Sequence, residues 1–243
     1  MLSFHNVTLQ YETKVVLKGV NLHIKEGEFV TLVGPSGCGK SSLLNLAAGT
    51  LKPTTGSVSF GGNQITGIDP QRGMMFQDSC LFPWLSAWEN VAFGLKMKGI
   101  KKKERYEQSL QYLDQVELRE YADYRSYELS GGMKQRVALA RTLIQEPQLI
   151  LMDEPLGALD AITKRKMQGL FKEIWRSTQK TFFLVTHDVE EAIGLGTRLL
   201  VLSVAGGELL EDLDLQREPR NKSDLIHYIY QLLANGMEQK QSF

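Results

Sequence analysis

Cysteine is scarce in this chain, and a surplus of either charge is missing altogether. Only two cysteines, Cys38 and Cys80, occur among 243 residues. One of them lies in a glycine-rich loop, so a structural disulfide is not expected and a reducing cytosol fits. Lysine plus arginine number 28, aspartate plus glutamate 28, and the formal net charge is zero. Nucleic-acid binders usually carry a basic excess, so no nucleic-acid partner is expected. The one dense basic run, Lys101-Lys102-Lys103, reads as a solvated helix start rather than a lipid-headgroup contact, for which the sequence offers no support. No run of about 18 apolar residues exists, so the chain is not expected to span a membrane. No basic, apolar, small-residue leader opens it, and no secretion signal is expected. Internal repeats and low-complexity segments are absent too. The length suits one large α/β domain, or a core with a subdomain, and buries a substantial core without disulfides.

What is present is organised around Gly34-Pro35-Ser36-Gly37-Cys38-Gly39-Lys40-Ser41-Ser42. An apolar run, Phe29–Val33, precedes it and reads as a buried parallel strand; Leu43–Ala48 follows and reads as a helix. Strand, glycine-rich loop, Lys-Ser and helix together make a Walker A match. The glycines let backbone N–H groups approach a ligand, and the helix N-terminus adds partial positive charge. Lys40 supplies a mobile point charge for outer phosphates, and the Ser41 hydroxyl can ligate Mg²⁺. The motif alone says that a nucleoside triphosphate is bound.

Upstream, Leu2–Leu9, Val15–Leu17 and Val20–Ile24 read as three strands, with Tyr11 at a turn between the first two. Tyr11 is either an ordinary tyrosine or an aromatic that stacks on a base. Downstream, Ser57–Phe60 reads as a strand, and Arg72–Phe76 as a short strand ending at Gln77. A polar residue at a strand's carboxyl end faces the usual ligand crevice of an open α/β sheet. Gln77 is thus a candidate for a metal or an attacking water, or else a plain loop amide. Leu81–Trp88 is aromatic-rich, and helical segments over Ala87–Met97, Lys102–Val116 and Arg119–Tyr124 interrupt the β-α alternation. This block reads as an inserted helical subdomain; its aromatic entry is core, a groove for a partner helix, or both.

Ser130-Gly131-Gly132 opens a helix over Lys134–Ile144, with Ser130 as a natural N-cap. The glycines leave N–H groups uncovered, a second anion site; the alternative is a plain capped helix, although two adjacent glycines cost helix stability unless something must approach closely. Gln148–Met152 reads as a buried strand ending in Asp153-Glu154. Adjacent carboxylates at a strand's end point in different directions, so one can hold Mg²⁺ while the other accepts a proton from water. A helix is expected from about Ala161 to Ser177, and a buried strand over Thr181–Val185 leads to His187. That histidine is structural or a phosphate contact on the same sheet edge as Gln77 and Asp153. Arg198–Leu202 is expected to close the sheet, Gly206-Gly207 to turn a hairpin, and Ser223–Gly236 to form an amphipathic helix.

In this order, Walker A, Gln77, Leu129–Met133, Leu149–Glu154, Ala158-Leu159-Asp160 and His187 resemble the ATP-binding cassette (ABC) ATPases. The likeness runs from about Leu2 to Leu210. The Leu81–Leu85 entry and the Met152–Asp160 segment look like cassettes of bacterial importers for nitrate, sulfonate and taurine. The resemblance implies a P-loop NTPase (RecA-like) α/β core with an N-terminal antiparallel β subdomain and an inserted α-helical subdomain. The implied layout is one cassette over 1–235: core about 1–83 and 146–210, helical subdomain about 84–145, C-terminal helix about 222–235. It implies that Tyr11 stacks on adenine and that Gly34, Pro35, Ser36, Gly37, Cys38, Gly39, Lys40, Ser41 and Ser42 hold the phosphates. Lys40 would meet the β- and γ-phosphates, Ser41 and Asp153 would support Mg²⁺, and Gln77 would touch metal or water. Glu154 would be the general base and His187 a γ-phosphate sensor. Ser130, Gly131 and Gly132 would contact ATP bound to a second copy, with Asp160 at the dimer seam. A thiol reagent at Cys38 would then be excluded by bound MgATP. The implied partners are a second copy, permease subunits and, indirectly, a solute-binding protein. The implied location is the cytoplasmic side of the cell membrane, peripherally. Alternatives are an exporter cassette or a soluble ABC ATPase of repair or translation. Repair members insert long coiled coils, however, and translation members carry two cassettes per chain.

Overall fold

Side-chain alternation along the first strands produces a half-buried antiparallel sheet. In the computed structural model, which describes residues 1–203 and 207–238, β1 (Leu2–Tyr11) pairs with β2 (Lys14–Ile24) across a two-residue turn. Leu2, Phe4, Val7 and Leu9 face the core. The step from Phe4 to Val7 breaks the period of two, and a register shift falls there with Asn6 at φ 47°. Such bulges let one long strand absorb irregular alternation. For that reason Val15–Leu17 and Val20–Ile24, expected as two strands, are one. Tyr11 is the last residue of β1, paired with Lys14, rather than part of the turn.

Next come β3 (Phe29–Val33), α1 (Lys40–Ala48), β4 (Thr55–Phe60) and β5 (Asn63–Gln64). The helix after the glycine-rich loop begins at Lys40, three residues before the expected start. Then follow β6 (Arg72–Met75), α2 (Ala87–Val91), α3 (Phe93–Met97), α4 (Lys102–Gln115) and α5 (Gly131–Leu143). The chain continues through β7 (Leu149–Asp153), α6 (Ala161–Thr178), β8 (Thr181–Thr186), α7 (Val189–Leu195), β9 (Arg198–Leu202), β10 (Leu209–Asp214) and α8 (Lys222–Glu238).

Two compact units emerge. The first comprises Met1–Asp69, Leu151–Glu154 and the chain from Lys180 onward. It holds the antiparallel sheet, ordered β2-β1-β4-β5, and most of a second sheet ordered β10-β9-β3-β8-β7-β6. There β3 is parallel to both β8 and β9, with Val30 opposite Phe183 and Arg198. Burial on both faces explains why β3 and β8 read as mostly apolar runs without polar alternation. Strand β10 pairs antiparallel outside β9, so Arg198–Leu202 does not close the sheet. Gly206 of the expected hairpin lies outside the described residues, and Gly207 has φ 59°. Leu225, Ile229 and Leu233 of α8 pack with Val189 and Ala192 of α7 and with Val33, Leu199 and Val201. Helix α7 has no counterpart in the sequence reading. Seven residues are too few for a 3.6-residue period to show, although Asp188 caps it by accepting from the Glu191 N–H at 2.9 Å.

The second unit comprises Pro70–Ile150 and Pro155–Gln179. Ser86 and Glu89 form a reciprocal capping box that starts α2. The expected single helix over Ala87–Met97 is two, Ala87–Val91 and Phe93–Met97, parted at Ala92. The expected helix Arg119–Tyr124 is one 3₁₀ turn, Arg119–Tyr121. The aromatic entry divides: Trp88 is buried, whereas Trp84 is 68% exposed and tilts against Phe82. Among the described residues no helix is long and apolar enough to cross a membrane.

Candidate active site

The loop between β3 and α1 presents its backbone. Gly39 precedes α1 at φ 107°, and a Cβ there would stand 2.8 Å from Leu17 Cδ2, so only glycine fits the turn. The N–H groups of Ser36, Gly37 and Gly39 make no hydrogen bond among the described residues. Together with the start of α1 they form a cradle of donors, which is what an anion needs. The Lys40 side chain is buried and curls back over this loop, donating to the carbonyls of Gly34 at 2.8 Å and Pro35 at 3.0 Å. Cys38 is buried, contrary to what a labelling site requires, and desolvation pushes its thiol pKa up. In place of protection by MgATP, this burial leads to the expectation that Cys38 reacts slowly with or without nucleotide.

At the end of β7 two adjacent carboxylates part company. Asp153 accepts from the Ser41 hydroxyl at 3.0 Å, whereas Glu154 Oε2 lies 2.8 Å from His187 Nδ1. Glu154 stands at φ 45°, and its N–H donates to the Val185 carbonyl at 2.9 Å. This left-handed residue ends the strand at Asp153 and turns the second carboxylate toward β8's end. An ionised carboxylate only accepts, so His187 donates from Nδ1; a protonated ring would donate from Nε2 as well. Burial raises the Asp153 pKa, the neighbouring Glu154 adds to the rise, and the Ser41 bond and Lys40 oppose it. A desolvated carboxylate beside a hydroxyl is a pair of hard oxygen donors, and that suits Mg²⁺, which takes few protein ligands. Tyr11 is 48% exposed at the end of β1, its ring open to a stacking partner.

The second unit carries the remaining expected residues. Ser130 caps α5, accepting from the Met133 N–H at 3.3 Å. The two glycines differ. A Cβ on Gly132 would meet Thr163 Cγ2 at 2.4 Å, so this glycine admits α6; a Cβ on Gly131 would have nothing closer than Leu159 Cδ2 at 3.9 Å. The helix accordingly begins at Gly131, three residues before the expected Lys134. Asp160 caps α6, accepting from the N–H groups of Ile162 and Thr163 at 3.0 Å and from the Thr163 hydroxyl at 2.6 Å. Gln77 lies two residues beyond β6, exposed, with its carbonyl taken by Gln135 Nε2 at 2.5 Å. Sequence reasoning passed over Gln135, Arg141 and Thr163. Gln135 left a trace, a polar residue among the apolar positions of α5; Arg141 and Thr163 left none.

A cradle of N–H donors, a lysine, split carboxylates with a histidine and, in the second unit, a serine-capped diglycine helix are the features expected of an ATP-binding cassette. The chain belongs to the ABC transporter family, whose model matches residues 17–157, and it is an ABC ATPase. Among similar proteins, the taurine import ATP-binding protein TauB of Roseobacter denitrificans is 49% identical over 213 residues, 86% of this chain and 80% of that protein. The nitrate import ATP-binding protein NrtD of Synechocystis sp. is 46% identical over 214 residues, with the same shares. A dimeric post-hydrolysis state of the ATP-binding cassette MJ0796 bound to ADP and Pi superposes with a TM-score of 0.78 at 38% identity, covering 88% of this chain and 99% of that one. The cbiO1 protein of Clostridium perfringens, part of the ABC transporter complex cbiONQ, gives a TM-score of 0.83 at 25% identity over 98% of both chains.

Proposed function

We propose that this chain is the ATP-hydrolysing motor subunit of a membrane importer for a small anionic or zwitterionic solute of the taurine or nitrate kind. The observation that carries the chemistry is the divergence of Asp153 and Glu154, one held by the Walker A serine and the other by His187. Tyr11 stacks on adenine; the loop Gly34–Ser42, through the backbone N–H groups that follow Pro35, and the Lys40 ammonium bind the phosphates. Ser41 and Asp153 would hold Mg²⁺, which family likeness also assigns to Gln77, and the ion would neutralise charge on the phosphate oxygens. Glu154 takes a proton from the water that attacks the γ-phosphorus, and the bond to the β-γ bridging oxygen breaks, leaving ADP and phosphate. His187, beside Glu154, contacts the γ-phosphate by family likeness. Relatives named for taurine and nitrate import support the transport direction.

A second copy completes each pocket, with Ser130–Gly132 meeting the nucleotide of its partner and Asp160 at the seam; the dimeric cassette bound to ADP and Pi supports this reading. Differential affinity of ATP for the closed pair shifts the conformational equilibrium, and loss of the γ-phosphate lets it reopen. Permease subunits receive that motion through the helical insert, about residues 84–145, at the cytoplasmic face of the membrane, and a solute-binding protein delivers the cargo. The test is Glu154→Gln. ATP affinity should stay within about twofold while turnover falls by roughly 10²- to 10⁴-fold; unchanged steady-state hydrolysis would remove Glu154 as the base.

A further inference from the structure

Helix α5 grips the segment after β6 by its backbone. Gln135 Nε2 donates to the Gln77 carbonyl at 2.5 Å. Arg141 sends Nη2 to the Ser79 carbonyl and Nη1 to the Cys80 carbonyl, both at 2.7 Å. Residues 77–80 belong to no helix or strand, so these carbonyls have no ladder to join, and side-chain donors take its place. A guanidinium suits two neighbouring carbonyls because its N–H fork is planar and fixed. The far end of the grip is constrained as well: Cys80 stands at φ 46°, in the left-handed region.

Gln135 itself argues against a packing role. It is 5% exposed, and its Oε1 has no hydrogen-bond partner among the described residues. A buried oxygen without a partner costs stability, and packing alone would favour an apolar side chain of that size. What the amide provides is a donor aimed at Gln77.

We propose that Gln135 and Arg141 are positioning residues for ATP hydrolysis. They clamp Gln77–Cys80 to the helix that carries Ser130–Gly132 at its start, so Gln77 and the diglycine cap are set as one piece. The idea rests on the assignment of Gln77 to metal or attacking water made above. Neither clamp residue needs to touch nucleotide; both act through the backbone they hold.

The experiment uses the full chain with a maleimide spin label on Cys80, the exposed cysteine; Cys38 is buried. In Gln135→Ala and Arg141→Ala the label's spectrum should sharpen toward a mobile line shape. Turnover should fall roughly 10- to 100-fold, since small misplacements carry that cost, while ATP affinity stays within about twofold. Millimolar guanidinium should restore part of the turnover of Arg141→Ala and none of that of Gln135→Ala, an effect that general destabilisation would not give. If the alanine variants do not fold, Arg141→Lys decides, because it keeps the stem and the charge but has no fork. Lowered turnover with partial label mobility supports the clamp. Turnover within about twofold of wild type, or an unchanged line shape, overturns it. Gln77→Ala keeps the gripped carbonyl. Full activity there would refute the role of the Gln77 side chain and leave the test of the clamp, read from the label, separate.

Discussion

At Glu154 the backbone sits at φ 45°, a region that residues with a Cβ enter only where the surroundings impose it. The Val185 carbonyl and the His187 ring hold it there, and the result is a carboxylate directed away from its neighbour. Desolvation acts on single residues in the same unit. It raises the Asp153 carboxyl, where a metal would offset it, and the Cys38 thiol, where the Lys40 charge and backbone N–H groups oppose it without cancelling it. A thiolate is the reactive form, so a buried thiol with a raised pKa is inert. Near neutral pH a disulfide reagent should therefore titrate Cys80 quickly and Cys38 only on unfolding, giving one fast thiol per native chain. Two fast thiols, or a Cys38 that MgATP protects, would contradict the burial seen here.

Helix α6 shows how one cap organises an element. Asp160 satisfies two of its first N–H groups, and Thr163, which donates to Asp160, also fills the space that Gly132 leaves open. The Thr163 hydroxyl, and then the Thr163 N–H, hold the Asp160 carboxyl below its ordinary value. A carboxyl lowered on folding contributes its full stabilisation above the unfolded pKa, near 3.9. That contribution is lost as pH falls through the lower folded value. Asp160→Ala should therefore lower the Tm at pH 7, and the gap to wild type should narrow below about pH 3.9. A gap that stays constant down to the acid transition would mean that the charge is not what caps the helix.

For the whole molecule the decisive claim is that each pocket draws on two copies. Glu154→Gln spoils the base of a pocket, and Ser130→Arg spoils the cap it offers to its partner. Each variant should be inactive when pure. Mixed before nucleotide is added, about half of the dimers pair unlike copies, and each of these retains one pocket with both parts intact. Turnover should return to about a quarter of the wild-type rate. A mixture no more active than its components would show that base and cap serve the same pocket within one chain.

Local structure is written along the chain, and that part was legible. The glycine spacing of the phosphate loop, the serine cap of α5, the paired carboxylates after β7 and the apolar runs of β3 and β8 each depend on residues within a few positions of one another. Helix ends drifted by up to three residues, and the single strand β2 read as two, because bulges and glycine caps blur a period. The grip of Gln135 and Arg141 on Gln77–Cys80, the reason for Gly132 and the placing of β10 outside β9 left little or no mark in the residues. These are contacts between segments far apart in the chain, and a residue's type records its near neighbours much better than its distant ones. Folding chooses such pairings by packing whole elements together, so they exist only once the elements have met.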